Sequence, residues 1–426
     1  MFRMLSCHQW FVLGIFTIGY LCIIFEHLIG VNKTTTALLT ASFCWIAHFL
    51  GPIPFNTDII QFSKGLSKTS EIVFFLLGAL AIVETIHVHG ALNLVCRYMR
   101  VRSKKGMLWV VGFVAFFLSS VLDNLTTTIV MVVLLRRLLT NREERLIFGS
   151  VVVVAANAGG VWTPIGDLTT TMLWSQNKIS AQGAIQSLFF PSLGCLLGML
   201  LLSSRMVHGE MPLESESPSS NVQPHAKGVL IFGLISLVAV PIARCTTNLL
   251  PFLGMLTAMS CMWLFTDYLH RHEPNTQHLR MPAVLPCIDL VSILFFLGIL
   301  LSVNVLEISK VLTFLADCID AVVPTKEWVA VIIGVLSSIV DNVPLVAASM
   351  GMYDVALYPM DSSFWKMVAY CAGTGGSMLI IGSAAGIAFM GLERVHFFWY
   401  LRRITLPAFF GYVVGIAVYV LQTRLF

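Results

Sequence analysis

The sequence predicts an all-α polytopic membrane protein made of two inverted-topology repeats, each with a re-entrant hairpin and a broken transmembrane helix. Three observations lead there. The 426 residues are 57% hydrophobic and 11% charged, with a mean hydropathy of +0.85, whereas a soluble domain carries about a quarter charged residues. Apolar runs recur that approach the roughly 20 residues a helix needs to cross a bilayer. Two of these runs hold a single aspartate each, Asp123 in "SSVLDN" (119–124) and Asp341 in "SSIVDN" (337–342). A lone carboxylate at membrane depth is costly and marks function.

The elements follow in order. Arg3 precedes an apolar run from Trp10 to Phe25 with no small-x-small cleavage site after it. That run is expected to be the first span and not a signal peptide. Crossings are expected near 9–30, 35–52, 71–96, 146–176 and 184–204, then near 229–245, 247–266, 285–308, 364–392 and 397–423. Between the two sets lies "HGEMPLESESPSSNVQPHAKG" (208–228), polar and rich in Ser, Pro and Glu. It reads as a cytoplasmic linker between a first repeat, 1–207, and a second, 229–426. "FLLGALAIVE" (75–84) matches "FFLGILLSVN" (295–304), and "NAGGVWTPIGD" (157–167) matches "GTGGSMLIIGS" (373–383). With the two aspartate motifs, these give three matches in one order, offset by 216 to 220 residues.

Loop charge sets the hand of the repeat. Lys and Arg collect in short cytoplasmic loops. The first aspartate run lies between "RYMRVRSKK" (97–105) and Arg136, Arg137, Arg142 and Arg145. Both flanks are basic, so the run at about 107–139 is expected to enter and leave on the cytoplasmic side. The second, at about 327–353, is flanked by "ADCIDAVVPTKE" (316–327) and "GMYDVALYPMDSS" (351–363), which hold four aspartates and one lysine. It is expected to enter from the other side, so that the two tips meet near the midplane. That is the plan of inverted-repeat carriers.

The chemistry-bearing residues gather at these features. Irregular backbone at membrane depth is tolerated only where protein or water covers it. Paired glycines and Pro164 break "AANAGGVWTPIGDLTTT" (155–171), which carries Asn157, Thr163, Asp167 and Thr169. "AGTGGSMLIIGSAAG" (372–386) is broken likewise and carries Thr374, Ser377 and Ser383. Carboxylates, amides, hydroxyls and freed carbonyls are the ligands of hard cations. A candidate cation site therefore combines Asp123, Asn124 and Asp341, Asn342 at the tips with Asn157, Thr163 and Asp167 from the first break. Ser377 and Ser383 come from the second. Hydrogen bonding between helices is the structural alternative for the amides and hydroxyls, and helix capping is that for Asp167. Glu84, with His87 one turn on, is a candidate for a proton path or for pH sensing. Glu26 and His27 are expected at an interface. His87 and His89 do not share a helical face suited to a metal ion.

"LDNLTTTIVM", "NAGGVWTPIGDLTT" and "IVDNVPLVAA" resemble the signature segments of the NhaD-type sodium/proton antiporters, members of a large ion transporter superfamily that also includes dicarboxylate and arsenite transporters. The resemblance runs through most of the chain in the expected order. It implies elevator-like alternating access and a role in pH homeostasis. It also implies cation and proton binding by Asp123, Asn124, Thr126, Asn157, Asp167, Thr169, Asp341, Asn342 and the Ser377 region, with Ser337 of the second hairpin added here. Sodium is expected at Asp123, Asn124, Asp341 and Asn342. The chain departs from the pattern of an acid in each half, since Ser383 stands where the first half has Asp167.

Sodium and protons competing for Asp123, Asp341 and Asp167 would make exchange obligatory, because an empty, multiply charged carrier is costly to move through a bilayer. A sodium-coupled anion or dicarboxylate symporter, or an anion efflux carrier of the same fold, is the first alternative; no buried Arg or Lys stands beside the tip motifs in the sequence. An intramembrane aspartyl protease is remote, since its Gly-x-Gly-Asp and Tyr-Asp pairs are lacking. An enzyme is therefore not expected. The ten cysteines form no C-x-x-C pair, and no cofactor is expected beyond the transported Na+ and H+, with Li+ a further candidate cargo. The net charge of +4 carries no basic tract suited to nucleic acid. The expected surroundings are a lipid bilayer, a bacterial inner (plasma) membrane by the basic loops, with a homodimer as a compatible assembly.

Overall fold

The computed structural model describes residues 6–24, 29–51, 55–91, 103–210, 223, 225–247, 249–323, 325–353 and 358–425. The first half gives α1 (Cys7–Ile24), α2 (Lys33–Phe49), α3 (Phe55–Val88), α4 (Lys104–Ser119), α5 (Asn124–Leu138), α6 (Arg142–Val161), α7 (Leu168–Ser175) and α8 (Ala181–Ser203). The second gives α9 (Ala226–Thr247), α10 (Pro251–Leu269), α11 (Leu290–Ile308), α12 (Val311–Val322), α13 (Lys326–Ser337), α14 (Asn342–Met352), α15 (Ser363–Gly375), α16 (Ala384–Glu393), α17 (Phe397–Arg403) and α18 (Thr405–Leu425). Among the described residues seven helices are long and apolar enough to cross a membrane, and the chain is an all-α, multi-pass membrane protein.

The four helices that flank the two aspartate motifs are each too short to cross. α4 and α5 have 16 and 15 residues, α13 and α14 have 12 and 11. At about 1.5 Å per residue none reaches through about 30 Å of hydrocarbon. A short turn joins α4 to α5 at 120–123 and α13 to α14 at 338–341, so each aspartate motif lies in a helix–turn–helix unit. The break between α6 and α7 spans 162–167, just after Gly159 and Gly160 in the last turn of α6, and the break between α15 and α16 spans 376–383, starting at the Gly375–Gly376 pair. Each hairpin docks on its broken helix in the same way. Ser119 Oγ donates to the Ala156 carbonyl at 2.7 Å, and Ser337 Oγ donates to the Ala372 carbonyl at 2.7 Å. Gly159 and Gly375 let the backbones meet there. A Cβ at either would stand 2.1 Å from a carbonyl oxygen, that of Phe116 or of Gly334.

Buried apolar side chains form two clusters. One joins α4, α5, α6, α8, α13, α15, α16 and α18 around Phe116, Phe148, Trp365, Tyr370 and Phe389. The other joins α1, α2, α3, α9, α10 and α11 around Trp45, Phe75, Ile82, Met255 and Phe295. Leu122 of the first hairpin turn, Met172 of α7, and Val343 and Ala347 of α14 pack into the second cluster. The seam between the two layers therefore runs past both hairpin tips.

The structure corrects the sequence reading at three elements. α3 starts at Phe55, not near 71, and is 34 residues long; its polar opening turns contain helix-permissive residues and no proline, so the helix continues where hydropathy alone stops. The segment 316–327, read as loop, is largely α12, whose apolar Val311, Leu312, Leu315, Ala316 and Ile319 recur at helical spacing and pack inward. The final crossing divides at Ile404 into α17 and α18. Glu26, His27, residues 92–102 and most of the linker lie outside the described residues.

Just past α3, His89 is fully buried and faces His270 beyond the end of α10, their Nε2 atoms 3.1 Å apart. Its Nδ1 donates to the Thr85 carbonyl at 2.7 Å. Burial pushes His89 down to about 4, with His270, His278 and His225 adding in the same direction and the Thr85 bond opposing. Burial lowers His270 as well. A histidine depressed in the folded state stabilises it above the unfolded value of about 6.5, and that stability is lost as pH falls toward the folded value. The melting temperature of solubilised protein is thus expected to drop between pH 7 and pH 5, and His89→Asn is expected to flatten that drop. An unchanged slope in the variant would assign the pH dependence to other groups.

Candidate cation-binding site

Local capping builds the first tip. Asp123 is the N-cap of α5 and accepts from Thr126 N–H at 2.8 Å and from Thr126 Oγ1 at 2.6 Å. An aspartate here satisfies a free N–H and suits the positive helix end. The cap holds Asn124 at the start of the helix, buried, with its amide turned toward the first break. Asn124 Nδ2 donates to Asn157 Oδ1 at 2.9 Å and to Asp167 Oδ1 at 3.0 Å. Asn157 is fully buried in α6, and its Nδ2 donates to Ser377 Oγ at 2.8 Å and Ser383 Oγ at 2.9 Å. One chain of side-chain bonds thus ties the first tip to both broken helices.

Asp167 stands at the N-cap position of α7 yet accepts no backbone bond from it. Its two oxygens take Asn124 Nδ2 and Thr169 Oγ1 instead. It is 2% exposed. Among the described residues neither Asp167 nor Asp123 has an ion-pair partner. A buried carboxylate fed only by neutral donors, beside amide and hydroxyl oxygens, suits a small hard cation or a proton.

The other expected residues sort by geometry. Asp341 caps α14, accepting from Val343 N–H at 3.4 Å, and Asn342 is buried beside it. α14 packs on α7 and α15, which brings the second tip against the element that starts at Asp167. Ser383 caps α16 while accepting from Asn157. Ser337 and Thr163 spend their hydroxyls on backbone: Ser337 on Ala372, and Thr163 on the Ser120 carbonyl at 2.6 Å while accepting from Gly166 N–H. Glu84 and His87 pair with each other at 3.2 Å on α3, outside this network. Two residues escaped sequence reasoning. Tyr400 donates its hydroxyl to the Ser377 carbonyl at 2.8 Å, and Lys33 lies 3.8 Å from Asp341. Both reach the site from distant helices, and only Lys33 carried a signal, a cation beside an apolar run.

Small cavities touch both tips, 80 Å³ at Asp123 and Asn124 and 60 Å³ at Asp341. A cavity of 720 Å³ lies between α3, α11 and α14. Among the described residues no three His, Cys, Asp or Glu side chains gather as a metal-binding group.

A family model described as "Citrate transporter" (CitMHS) matches residues 20–365. Sodium/proton antiporter 1 of Arabidopsis thaliana is 48% identical over 408 residues, covering 95% of this chain and 71% of that protein. The Na(+)/H(+) antiporter NhaD of Alkalimonas amylolytica is 26% identical over 441 residues, covering 96% and 89%. The chain belongs to the NhaD-type sodium/proton antiporter family. Among solved structures, the YdaH transporter of Alcanivorax borkumensis aligns with a TM-score of 0.60 at 10% identity, covering 88% of this chain and 90% of that one. It shares the antiporter's fold. The candidate residues thus sit on a transporter scaffold, at the seam between its two layers.

Proposed function

We propose that the chain exchanges sodium for protons across its membrane by alternating access, with Asp123, Asp167 and Asp341 taking either ion. The observation that carries the reading is the buried network Asn124–Asp167 and Asn157–Ser377/Ser383, which joins the first hairpin tip to both broken helices at one point. Sodium there would replace N–H and O–H donors around carboxylate and amide oxygens. Protons would neutralise the same carboxylates, so the two cargoes exclude each other and coupled acids titrate as a set. Two inverted repeats, 1–207 and 229–426, joined by a cytoplasmic linker, would let the tips face alternate sides. The proposal includes Li+ as a second cargo, a homodimer as the assembly, and no enzymatic step or cofactor.

The test uses purified protein in sealed liposomes with a pH-sensitive dye inside and an imposed proton gradient. Added sodium is expected to dissipate the gradient, and Asp123→Asn and Asp341→Asn are each expected to reduce that to background. Normal exchange in either variant would sink the assigned site. Succinate moving with sodium would instead favour the symporter. As to the membrane, basic loops fit a bacterial inner membrane, while the nearer relative from Arabidopsis fits a eukaryotic one. Fractionation of cells expressing the tagged chain decides between them.

A further inference from the structure

One carboxylate of the site differs from the other two. Lys33 Nζ lies 3.8 Å from Asp341 Oδ2, with the two side chains 24% and 15% exposed. The ammonium also sits over the Phe295 ring, 4.7 Å from its centroid. Its position is built in. Lys33 opens α2, where Asn32 caps the helix by accepting from Thr34 N–H at 2.8 Å. Thr34 Oγ1 then donates to the Val291 carbonyl of α11 at 3.1 Å. These bonds fix the lysine's backbone to the layer of α1, α2, α3 and α11, while Asp341 belongs to the hairpin whose first arm, α13, packs in the other layer, so the pair crosses the seam. Asp341 Oδ1 is engaged by Val343 N–H, which leaves Oδ2 toward Lys33. Both residues line the 60 Å³ cavity together with Phe295 and Tyr20, whose buried hydroxyl has no hydrogen-bond partner among the described residues. That cavity has a carboxylate, a free hydroxyl and room for a small ion, and a lysine already points its charge there.

We propose that Lys33 is a tethered counter-cation that competes with sodium for Asp341, and so sets the sodium concentration at which the site fills. This rests on the reading of Asp341 as a cation-binding carboxylate. The ammonium holds Asp341 while sodium is absent and gives way as the ion binds. It is a positioning residue, not a ligand of the ion. Because the pair joins the two layers, it also couples filling of the site to release of the second hairpin from α2 and α11.

Wild type, Lys33→Met, Lys33→Arg and Asp341→Asn are reconstituted in sealed liposomes, and initial rates of sodium-driven proton movement are measured across sodium concentrations at one alkaline pH. Lys33→Met is expected to lower the KM for sodium roughly two- to fivefold, the range a partly exposed ion pair supports, and Lys33→Arg to restore it toward wild type. A KM unchanged or raised in Lys33→Met, whatever happens to kcat, would make Lys33 a structural anchor and overturn the proposal. Exchange surviving in Asp341→Asn fails the site reading itself, whatever Lys33→Met does. Binding is followed separately by the sodium-dependent rise in melting temperature of solubilised protein. That rise is expected at lower sodium in Lys33→Met and in Lys33→Gln, and the same sodium dependence as wild type in both would also overturn the proposal.

Discussion

Asp167→Asn is expected to cut sodium-driven proton movement about 100-fold or more, equivalent to about 3 kcal/mol of lost stabilisation. Both oxygens of Asp167 are acceptors, one for Asn124 Nδ2 and one for Thr169 Oγ1. An asparagine keeps one acceptor and sets an NH2 donor against a donor at the other position. It also removes a charge that no described residue pairs. The cost to folding is smaller, since leaving one buried donor unsatisfied costs about 1–3 kcal/mol. Asp167→Ser gives a second measure, because Ser383 fills the corresponding position of the other half and caps α16 there. That variant is expected to remain folded by melting temperature and to be equally inactive. Wild-type exchange in Asp167→Ser would make the acid dispensable and move the proton load to Asp123 and Asp341.

The site was legible in the sequence where the chemistry is local and repeated. "SSVLDN" and "SSIVDN" marked hairpin tips because each sets a lone aspartate in an apolar run whose two flanks carry matching charge, and the structure uses Ser119 and Ser337 for the same backbone bond to the neighbouring broken helix. Asp167, Asn124 and Asn157 could be grouped because each sits at an interruption in an apolar run. What stayed hidden is how a polar group is spent. Asp123 is largely committed to its own helix start, and Thr163 and Ser337 to carbonyls of neighbouring segments; none of that follows from residue type. Long-range partners were also out of reach. Lys33 meets Asp341, and Tyr400 meets Ser377, only because the layers pack that way. Of the fold, α12 was missed because its aspartates were read as loop charge while its helical spacing of apolar residues went unweighed, and the opening turns of α3 because they are polar yet still helical.

Gly159→Val is expected to abolish folding of the first hairpin against its broken helix. The nearest atom to a Cβ there is the Phe116 carbonyl oxygen at 2.1 Å, with Phe116 C and Cα at 2.7 and 2.8 Å. These are backbone atoms, so no rotamer change relieves the overlap, and a branched side chain adds two more carbons. Overpacking a close-packed interior typically costs about 1–3 kcal/mol and more where backbone must move, against a marginal total of about 5–15 kcal/mol. Separating α4 from α6 would also break the Ser119–Ala156 bond and move the hairpin turn, and with it Asn124, away from Asp167. The solubilised variant is therefore expected to lose its monodisperse peak in size-exclusion chromatography. Gly375→Val is expected to do the same through the Gly334 carbonyl. Gly391→Val is the control, since a Cβ there meets nothing within 4 Å. A monodisperse Gly159→Val protein with the wild-type melting temperature would mean that α4 and α6 do not approach this closely, and the hydrogen-bonded path from Asn124 to Ser377 would lose its support.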